Sequence, residues 1–396
     1  MPGRILLVDD APVNLKVLTS FLGHDGHRLF TASNGPEALD LARRESPDLI
    51  LLDIMMPGKD GFAVCSELKA DAVTAEIPVV FLTALSETGD KVKGLSLGAV
   101  DYITKPFEKG EVLARVNTHL RLHELMRSLR RMNRELEENQ RLLKEDLHAA
   151  ADIQRALLPR PGLALPGVSL AWRFEPCATV GGDIFNALVL DEHSLGFFIL
   201  DVSGHGVPSA MVTVSAAQSL SPVAGIVTRP PASITRRAVR PATVLAELDH
   251  EYPFERFERY FTISYLVLDV SSGMLRFSSA GHPPPLLVGR DGSLQELSEG
   301  GPIIGVGFGP GAFEEGERKL ERGERVFLYT DGIPEYENAE GRVLGAARFR
   351  EVLREGSALD LEASCAQVTR AVREFGGSSS PRDDLSLFAF EYTGPG

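Results

Sequence analysis

From Leu120 to Leu158 the chain runs through arginine, glutamate, leucine and glutamine without a single glycine or proline. A stretch without either helix breaker and rich in strong helix formers is read as one long helix. Its end is written in Leu158-Pro159-Arg160-Pro161-Gly162, because proline lacks a backbone donor and disfavours helix in the residue before it. A rod of this length divides the 396 residues into a part before it and a part after it, each long enough for its own core. The expected organisation is a first domain over 1–120, a helical linker over 121–158 and a second domain over 159–396.

Within the helix, Leu122, Leu125, Leu129, Met132 and Leu136 alternate steps of three and four. Asn139 takes the next place and Leu143 follows, which is the seam of a coiled coil. A further step of four to Leu147 shifts the frame before Ala150, Ile153 and Leu157, as a stutter does. This spacing predicts a parallel homodimer through the helix. The alternative is a helix packed on its neighbours within one chain.

Composition removes several classes of function. With 43% hydrophobic and 24% charged residues the chain has the make-up of a globular protein, and no apolar run approaches the roughly 20 residues of a membrane span. The start, MPGRILLVDD, has neither the cationic segment nor the long apolar stretch of a secretory signal, so a cytoplasmic protein with no membrane role is expected. Three cysteines, Cys65, Cys177 and Cys365, are odd in number and far apart; they suit a reduced compartment, show no metal-ligand spacing and are read as core filler. A net charge of −14 argues against general nucleic-acid binding.

Before the linker, short apolar runs (Ile5 to Val8, Leu49 to Leu52, Val79 to Leu82) alternate with helical spacing such as Val13, Val17, Phe21. That is the pattern of an α/β domain with a parallel sheet and crossover helices. Asp9 and Asp10 close the first strand and Asp53 closes the third, so their carboxylates emerge at the carboxyl edge of the sheet, where such folds bind ligands. Three carboxylates together call for a hard cation such as Mg2+, which would also hold a phosphoryl group against Asp53. Thr83 closes the fourth strand and Lys105-Pro106 follows the fifth, adding a hydroxyl and a cation for phosphoryl oxygens.

LLVDD, LLDIMMPGKDGF, FLTA and DYITKPF resemble the two-component receiver family over the whole of 1–120. The resemblance implies a flavodoxin-like, doubly wound sheet of five parallel strands with Asp53 as phospho-acceptor. It implies a Mg2+ held by Asp10, Asp53 and the Met55 carbonyl, Thr83 and Lys105 as sensors of the phosphoryl group, and Tyr102 as the switching aromatic residue. The implied partner is a cognate sensor histidine kinase.

After the linker, strands are expected at Phe261 to Val270, Met274 to Ser279, Leu286 to Val288, Val326 to Thr330 and Leu385 to Tyr392, with a helix near Leu361 to Phe375, as mixed sheets covered by helices. A Pro-rich basic stretch between Ser221 and Pro241, with Arg229, Arg236, Arg237 and Arg240, reads as an exposed loop that either is solvated or steers an acidic phosphoprotein. Asp183 follows Gly181-Gly182, and Asp201 opens Asp201-Val202-Ser203-Gly204-His205-Gly206; Asp331 follows Tyr329-Thr330, and Asp383 and Asp384 follow Arg382. Each stands at a strand end, so carboxylates from distant segments can converge on a pair of divalent ions roughly 3.5 to 4 Å apart, which would activate a water to attack a phosphoester.

Together with DIQRALLP (Asp152 to Pro159) and SAGHPPPLL (Ser279 to Leu287), these motifs resemble the metal-dependent protein phosphatases, in the protein phosphatase 2C-like branch typified by stage II sporulation protein E, over about Ala149 to Tyr392. The resemblance implies an α-β-β-α sandwich with two Mn2+ or Mg2+. Asp201 would bridge them beside the Val202 carbonyl, with Asp183 on one ion, Asp331 and Asp383 on the other side, and Asp384 behind the ligands. It also implies a phosphoserine or phosphothreonine substrate on a regulatory protein, such as an anti-sigma-factor antagonist. Asn186 stands where many members carry a second acidic residue.

His205 and His282 are read as structural histidines in glycine-flanked turns, and Ser203 is discounted as a nucleophile because no strand-to-helix elbow surrounds it. A receiver, a coiled coil and Gly181-Gly182-Asp183 also echo a diguanylate cyclase, but that chemistry needs an acidic residue where this chain has Ile184. A catalytically inactive scaffold would have lost metal ligands, and the four aspartates are all present. The sequence therefore predicts a response regulator in which phosphorylation of Asp53 controls a two-metal phosphatase.

Overall fold

The structure is a computed structural model that describes residues 3–84, 93–160, 162–204, 206–223, 225–229, 237–309, 311–377 and 379–395. His205 and Arg236, named above, lie outside the described residues. The chain forms two compact units, Met1–Gln140 and Arg141–Gly396.

In the first unit, β1 (Arg4–Val8), β2 (Arg28–Ala32), β3 (Leu49–Asp53), β4 (Val79–Thr83) and β5 (Asp101–Thr104) make one sheet in the order β2-β1-β3-β4-β5. Every pairing is parallel. This is the flavodoxin-like order expected from the sequence, with its strand-order reversal beside β1 and β3. β3 and β4 are buried along their whole length because helices cover both faces of the sheet, which is why they read as unbroken apolar runs. Leu18 and Leu22 of α1 (Pro12–Gly23) pack on one face; Ala38 and Leu39 of α2 (Gly35–Glu45) and Val64 and Leu68 of α3 (Gly61–Ala70) pack on the other. Asn34 and Asp60 start α2 and α3 by accepting from the backbone N–H three residues on.

The long helix α4 runs Lys109–Ala156. It begins well before Leu120, because Val112 and Val116 are needed to cover the sheet of the first unit and nothing between them and the linker breaks the helix. The linker is thus the continuation of that unit's last helix. Leu122, Leu125, Leu129, Met132, Leu136 and Leu143 are between 46% and 60% exposed, so the seam is not packed on neighbours within one chain.

The second unit is a sandwich of two sheets. One has the order β15-β12-β11-β8-β7, with β16 also on β12: β7 (Asp183–Val189), β8 (Ser194–Val202), β11 (Phe261–Asp269), β12 (Met274–Ala280), β15 (Gly300–Gly301) and β16 (Gly316–Lys319). The other has the order β14-β13-β17-β18-β6: β6 (Val168–Glu175), β13 (Leu286–Val288), β14 (Leu294–Glu296), β17 (Arg325–Tyr329) and β18 (Leu385–Tyr392). One parallel pairing, β12 with β15, makes the first sheet mixed. The sheets meet through stacked rings, Phe185 on Phe388 at 5.2 Å and Phe197 on Phe390 at 4.0 Å between centroids.

Helices α5 (Val207–Ser219) and α6 (Pro241–Glu251) pack on the first sheet. The one-turn α7 (Phe254–Phe257) leads into β11, and α8 (Ala346–Glu355) and α9 (Leu361–Gly376) cover the second sheet through Phe349, Val352, Cys365 and Val368. The result is the α-β-β-α sandwich. Of the basic stretch, the short strands β9 (Thr228–Arg229) and β10 (Arg237–Ala238) pair with Arg229 opposite Arg237, and Arg240 is engaged by Glu315 at 2.9 Å. Among the described residues no helix is long and apolar enough to cross a membrane.

Candidate functional site

At the carboxyl edge of the first sheet, Asp9, Asp10 and Asp53 each offer an oxygen, all within 4.8 Å of one another. Asp9 and Asp53 are buried and Asp10 is exposed. The Lys105 ammonium bridges the two buried ones, 2.8 Å from Asp9 Oδ2 and 2.7 Å from Asp53 Oδ2. Asp9 also accepts from the Ala11 N–H and the Asn14 amide, and Asp53 Oδ1 from the Met55 N–H at 3.3 Å. Burial raises the Asp53 carboxyl pKa against the bond and charge of Lys105. The Lys105 ammonium is itself held above its ordinary value, since burial works against it and the bonds to Asp53 and Asp9 outweigh burial. Thr83 is buried at the end of β4, and Tyr102 lies on β5 with the Arg115 guanidinium 5.7 Å from its ring centre. Gly61 has no room for a side chain: a β-carbon there would stand 2.2 Å from the Asp53 carbonyl oxygen.

In the second unit, antiparallel pairing of β7 and β8 sets Asp183 directly opposite Asp201. The Asp183 carboxylate is buried, its Oδ2 taking the hydroxyls of Thr330 at 2.8 Å and Ser386 at 2.6 Å. Asp384 is buried behind it; Oδ2 accepts from the N–H groups of Gly182 (2.7 Å) and Asp183 (3.2 Å), and Oδ1 from that of Cys177 (2.8 Å). Gly181 permits this approach, because a β-carbon on it would lie 2.2 Å from Asp384 Oδ2. A β-carbon on Gly182 would meet the Val202 carbonyl oxygen at 2.7 Å and Asp201 Oδ1 at 3.4 Å, so these two oxygens share one side of the turn.

The carboxylates act on one another. Asp201 is pushed up to about 7, by burial first and then by the charges of Asp331 and Asp383. Asp183 is raised well above its ordinary value by burial, then by Asp201 and Asp384, against the two hydroxyl donors. Asp331 is raised by burial and then by Asp383 and Glu335. Four segments far apart in sequence are thus brought into one field of like charge, which is what a bound cation relieves.

The sequence profile of the family described as Stage II sporulation protein E (SpoIIE) matches residues 191–393, just over half of the chain. The chain belongs to the stage II sporulation protein E family. Its N-terminal unit is a response regulator receiver domain, matched over residues 5–117. The SpoIIE-type unit shares its fold with the SiaA-PP2C domain of Pseudomonas aeruginosa, with a TM-score of 0.54 and 23% identity over 64% of this chain and 98% of that one. The receiver is similar to the response regulator PleD of Caulobacter vibrioides, 46% identical over 130 residues, which are 33% of this chain and 29% of PleD. It is similar also to the protein PilH of Pseudomonas aeruginosa, 44% identical over 118 residues, 30% of this chain and 98% of PilH. The chain therefore spans less than a third of PleD's length.

Several side chains of the SpoIIE-type unit have plain structural duties. His282 is buried between the Thr262 hydroxyl at its Nδ1 (2.7 Å) and the Tyr329 carbonyl at its Nε2 (3.1 Å), which assigns the proton to Nε2. Burial lowers its pKa to about 3, so it stays neutral and structural, as expected. Ser203 spends its backbone N–H and its hydroxyl on the backbone of Tyr260. Asn186 sits three residues along β7 from Asp183 and so on its other face, where its amide donates to the Leu157 carbonyl at 2.6 Å; no side chain there could join Asp183. Ile184 is fully buried, which leaves no place for the acidic residue of a cyclase-like site. Cys65 and Cys365 are core residues, whereas Cys177 is half-buried, its thiol pushed up to about 12 by burial and then by Asp384.

The roles of Thr330, Ser386 and Gln154 were not legible in the sequence. The motif spelled Tyr329-Thr330-Asp331 and Asp384-Leu385-Ser386, yet nothing local said that the two hydroxyls aim at Asp183. Gln154, in the last turns of α4, donates to the carbonyls of Gly181 and Asp183 and accepts from the Gly181 N–H.

Raised carboxyl values have a consequence for stability. Their protonated forms are favoured in the fold, so the stability they contribute is complete below the unfolded value near pH 4 and is lost as pH rises through about 7. In chelator-treated protein, calorimetry should show the melting temperature of the SpoIIE-type unit falling between about pH 5 and about pH 8. Millimolar Mn2+ or Mg2+ should flatten that fall, because the cation favours the ionised forms. A slope indifferent to the metal would mean that these carboxylates do not share an ion site.

Proposed function

We propose that this chain is a response regulator whose SpoIIE-type domain is a metal-dependent protein serine/threonine phosphatase under the control of Asp53. The observation that supports it is that Asp183, Asp201 and Asp331 are raised in pKa, with Asp383 among the charges that raise Asp201 and Asp331, beside a turn that carries the Val202 carbonyl. These carboxylates and that carbonyl would hold two Mn2+ or Mg2+. When bound, such a pair supplies a water acidic enough to ionise near neutral pH and positive charge for the phosphoryl oxygens.

The chain's own residues prepare that site. Thr330 and Ser386 fix the Asp183 carboxylate by its Oδ2, the β7–β8 register places Asp201 opposite it, and Asp384 holds the backbone beneath while Asp383 is left as a ligand. With the nucleophile drawn from water, neither Ser203 nor His282 has a chemical role. The substrate class is a phosphoserine or phosphothreonine on a regulatory protein, with an anti-sigma-factor antagonist as the specific proposal.

In the receiver, Asp10, Asp53 and the Met55 carbonyl would hold Mg2+, and the three-carboxylate spacing with Lys105 alongside suits a phosphoryl group arriving on Asp53 from a cognate sensor histidine kinase. Thr83 and Lys105 would bind its oxygens and Tyr102 would respond. The test is phosphate release from a phosphoserine protein with Mn2+ or Mg2+ and a chelator control, for wild type with and without an acyl phosphate and for Asp53→Ala. Turnover is expected to differ between phosphorylated wild type and Asp53→Ala; equal turnover in all three states would remove the coupling.

The exposed seam of α4 supports a parallel homodimer. Replacing Leu129 and Leu136 by lysine places like charges at facing core positions. Sedimentation is expected to show a monomer at concentrations where wild type is a dimer, and an unchanged mass would place the dimer contact elsewhere.

A further inference from the structure

At the end of the second sheet away from the aspartate-bearing turns, the β13–β17–β18 register sets Val288, Arg325 and Glu391 in one row. The turns beyond that row leave an open pocket of about 380 Å3, whose wall includes Arg290 from the β13–β14 turn, Arg322 ahead of β17, Ser357 just after α8 and Thr393 just after β18. Arg325 is fixed in this wall. Its Nε donates to Glu391 Oε2 at 2.7 Å and its Nη1 to the Ser357 carbonyl at 3.3 Å, and only 12% of its side chain is exposed. The Arg290 stem lies across the neighbouring turn: at Gly323, whose φ is +89°, a β-carbon would stand 3.0 Å from Arg290 Cδ, so this close approach needs glycine.

The pocket gathers three guanidiniums and one carboxylate, and that carboxylate, Glu391, is already spent on Arg325. The acidic side chains of the adjoining turns are engaged elsewhere. Asp291 accepts from the Ser293 N–H at 2.9 Å, and Glu324 from the Glu321 N–H at 2.7 Å with Arg318 3.8 Å away. Among the described residues neither Arg290 nor Arg322 has an acidic partner, so a chain of net charge −14 keeps two unneutralised positive charges at one pocket. Like charges held together repel, and a dianion between them relieves this. Guanidinium forks match the oxygens of a phosphoryl group, and Ser357 and Thr393 carry hydroxyls able to donate to further oxygens. The volume falls within the range of sites for small molecules. We propose that this pocket binds the phosphoryl dianion of a small molecule, free phosphate or a phosphomonoester, with Arg290 and Arg322 as its ligands against the fixed Arg325. It lies at the opposite end of β17 from Asp331, roughly 20 Å away at the rise of a strand, and shares no residue with the metal-binding set, so it stands whether or not the second unit is a phosphatase.

The test is calorimetric titration of inorganic phosphate and of adenosine monophosphate into full-length protein at about pH 8, where both are dianions. The protein is chelator-treated so that no bound metal takes up the anion, and acetate at equal ionic strength is the monoanion control. Arg290→Ala, Arg322→Ala and Arg290→Lys are titrated beside wild type; both residues are exposed, so the variants are expected to fold, and melting curves check it. The expected result is saturable binding of a phosphoryl ligand by wild type, none of acetate, and a dissociation constant raised roughly 10-fold or more in each alanine variant. Arg290→Lys keeps the charge but loses the fork and should weaken binding by a smaller factor. Tighter binding of adenosine monophosphate than of phosphate would identify a phosphomonoester as the source of the dianion, and the reverse order would identify free phosphate. No saturable binding of either ligand, equal uptake of acetate, or wild-type affinity in the folded alanine variants would overturn the proposal.

Discussion

Asp201→Asn is expected to lose metal-dependent phosphate release by about a thousandfold or more, while the melting temperature of the metal-free protein at pH 8 stays level or rises. Both halves come from one geometry. Asp201 lies on a central strand, opposite Asp183 on one side and Thr262 on the other, so an amide of the same shape leaves the register untouched. It removes the charge that burial and the neighbouring Asp331 and Asp383 push up to about 7, and with it a repulsion that the metal-free fold carries at neutral pH. Stability should therefore not suffer although the proposed bridging ligand is gone. Turnover of p-nitrophenyl phosphate and of a phosphoserine protein, measured beside the melting curve, separates the two effects. Retained turnover would put the metal pair elsewhere; lost turnover with a collapsed melt would make Asp201 a structural residue.

Asp384→Ala should behave in the opposite way, costing stability first. Two buried N–H groups, those of Gly182 and Asp183, and the part-buried one of Cys177 lose their acceptor at once, at about 1–3 kcal/mol for each donor left dry. Relief of its repulsion with Asp183 and Asp201 offsets part of this, so a net loss on the order of 4 kcal/mol is expected in urea unfolding of the metal-free protein. Asp384→Asn keeps one acceptor oxygen and should fall between wild type and alanine. A loss below about 1 kcal/mol for alanine would show that water or a rearranged turn satisfies these donors and that Asp384 does not hold the turn.

The placement of the receiver's edge residues could be read from the sequence because they sit at strand ends. A parallel sheet delivers whatever follows β1, β3, β4 and β5 to one edge, so Asp9, Asp10, Asp53, Thr83 and Lys105 were placed together by chain order alone. The long helix was legible for a similarly local reason, the absence of glycine and proline. Its start at Lys109 was not: the burial of Val112 and Val116 is a demand of the sheet they cover, and no local breaker marks the point where receiver becomes linker.

By itself, then, the sequence determined the fold of both units, the strand-end placement of the carboxylates and the apolar spacing of the seam, since strand periodicity, turn glycines and helix breakers act within a few residues of where they are written. Only the tertiary structure decided how those carboxylates are served. Asn186 was excluded by its parity along β7, His282 was made neutral by burial and held by two partners 20 and 47 residues away, and Thr330, Ser386 and Gln154 were brought to Asp183 and its turn from across the sandwich. Such contacts join segments that no sequence spacing relates, and the closing of the two sheets over one core is what brings them within hydrogen-bond reach.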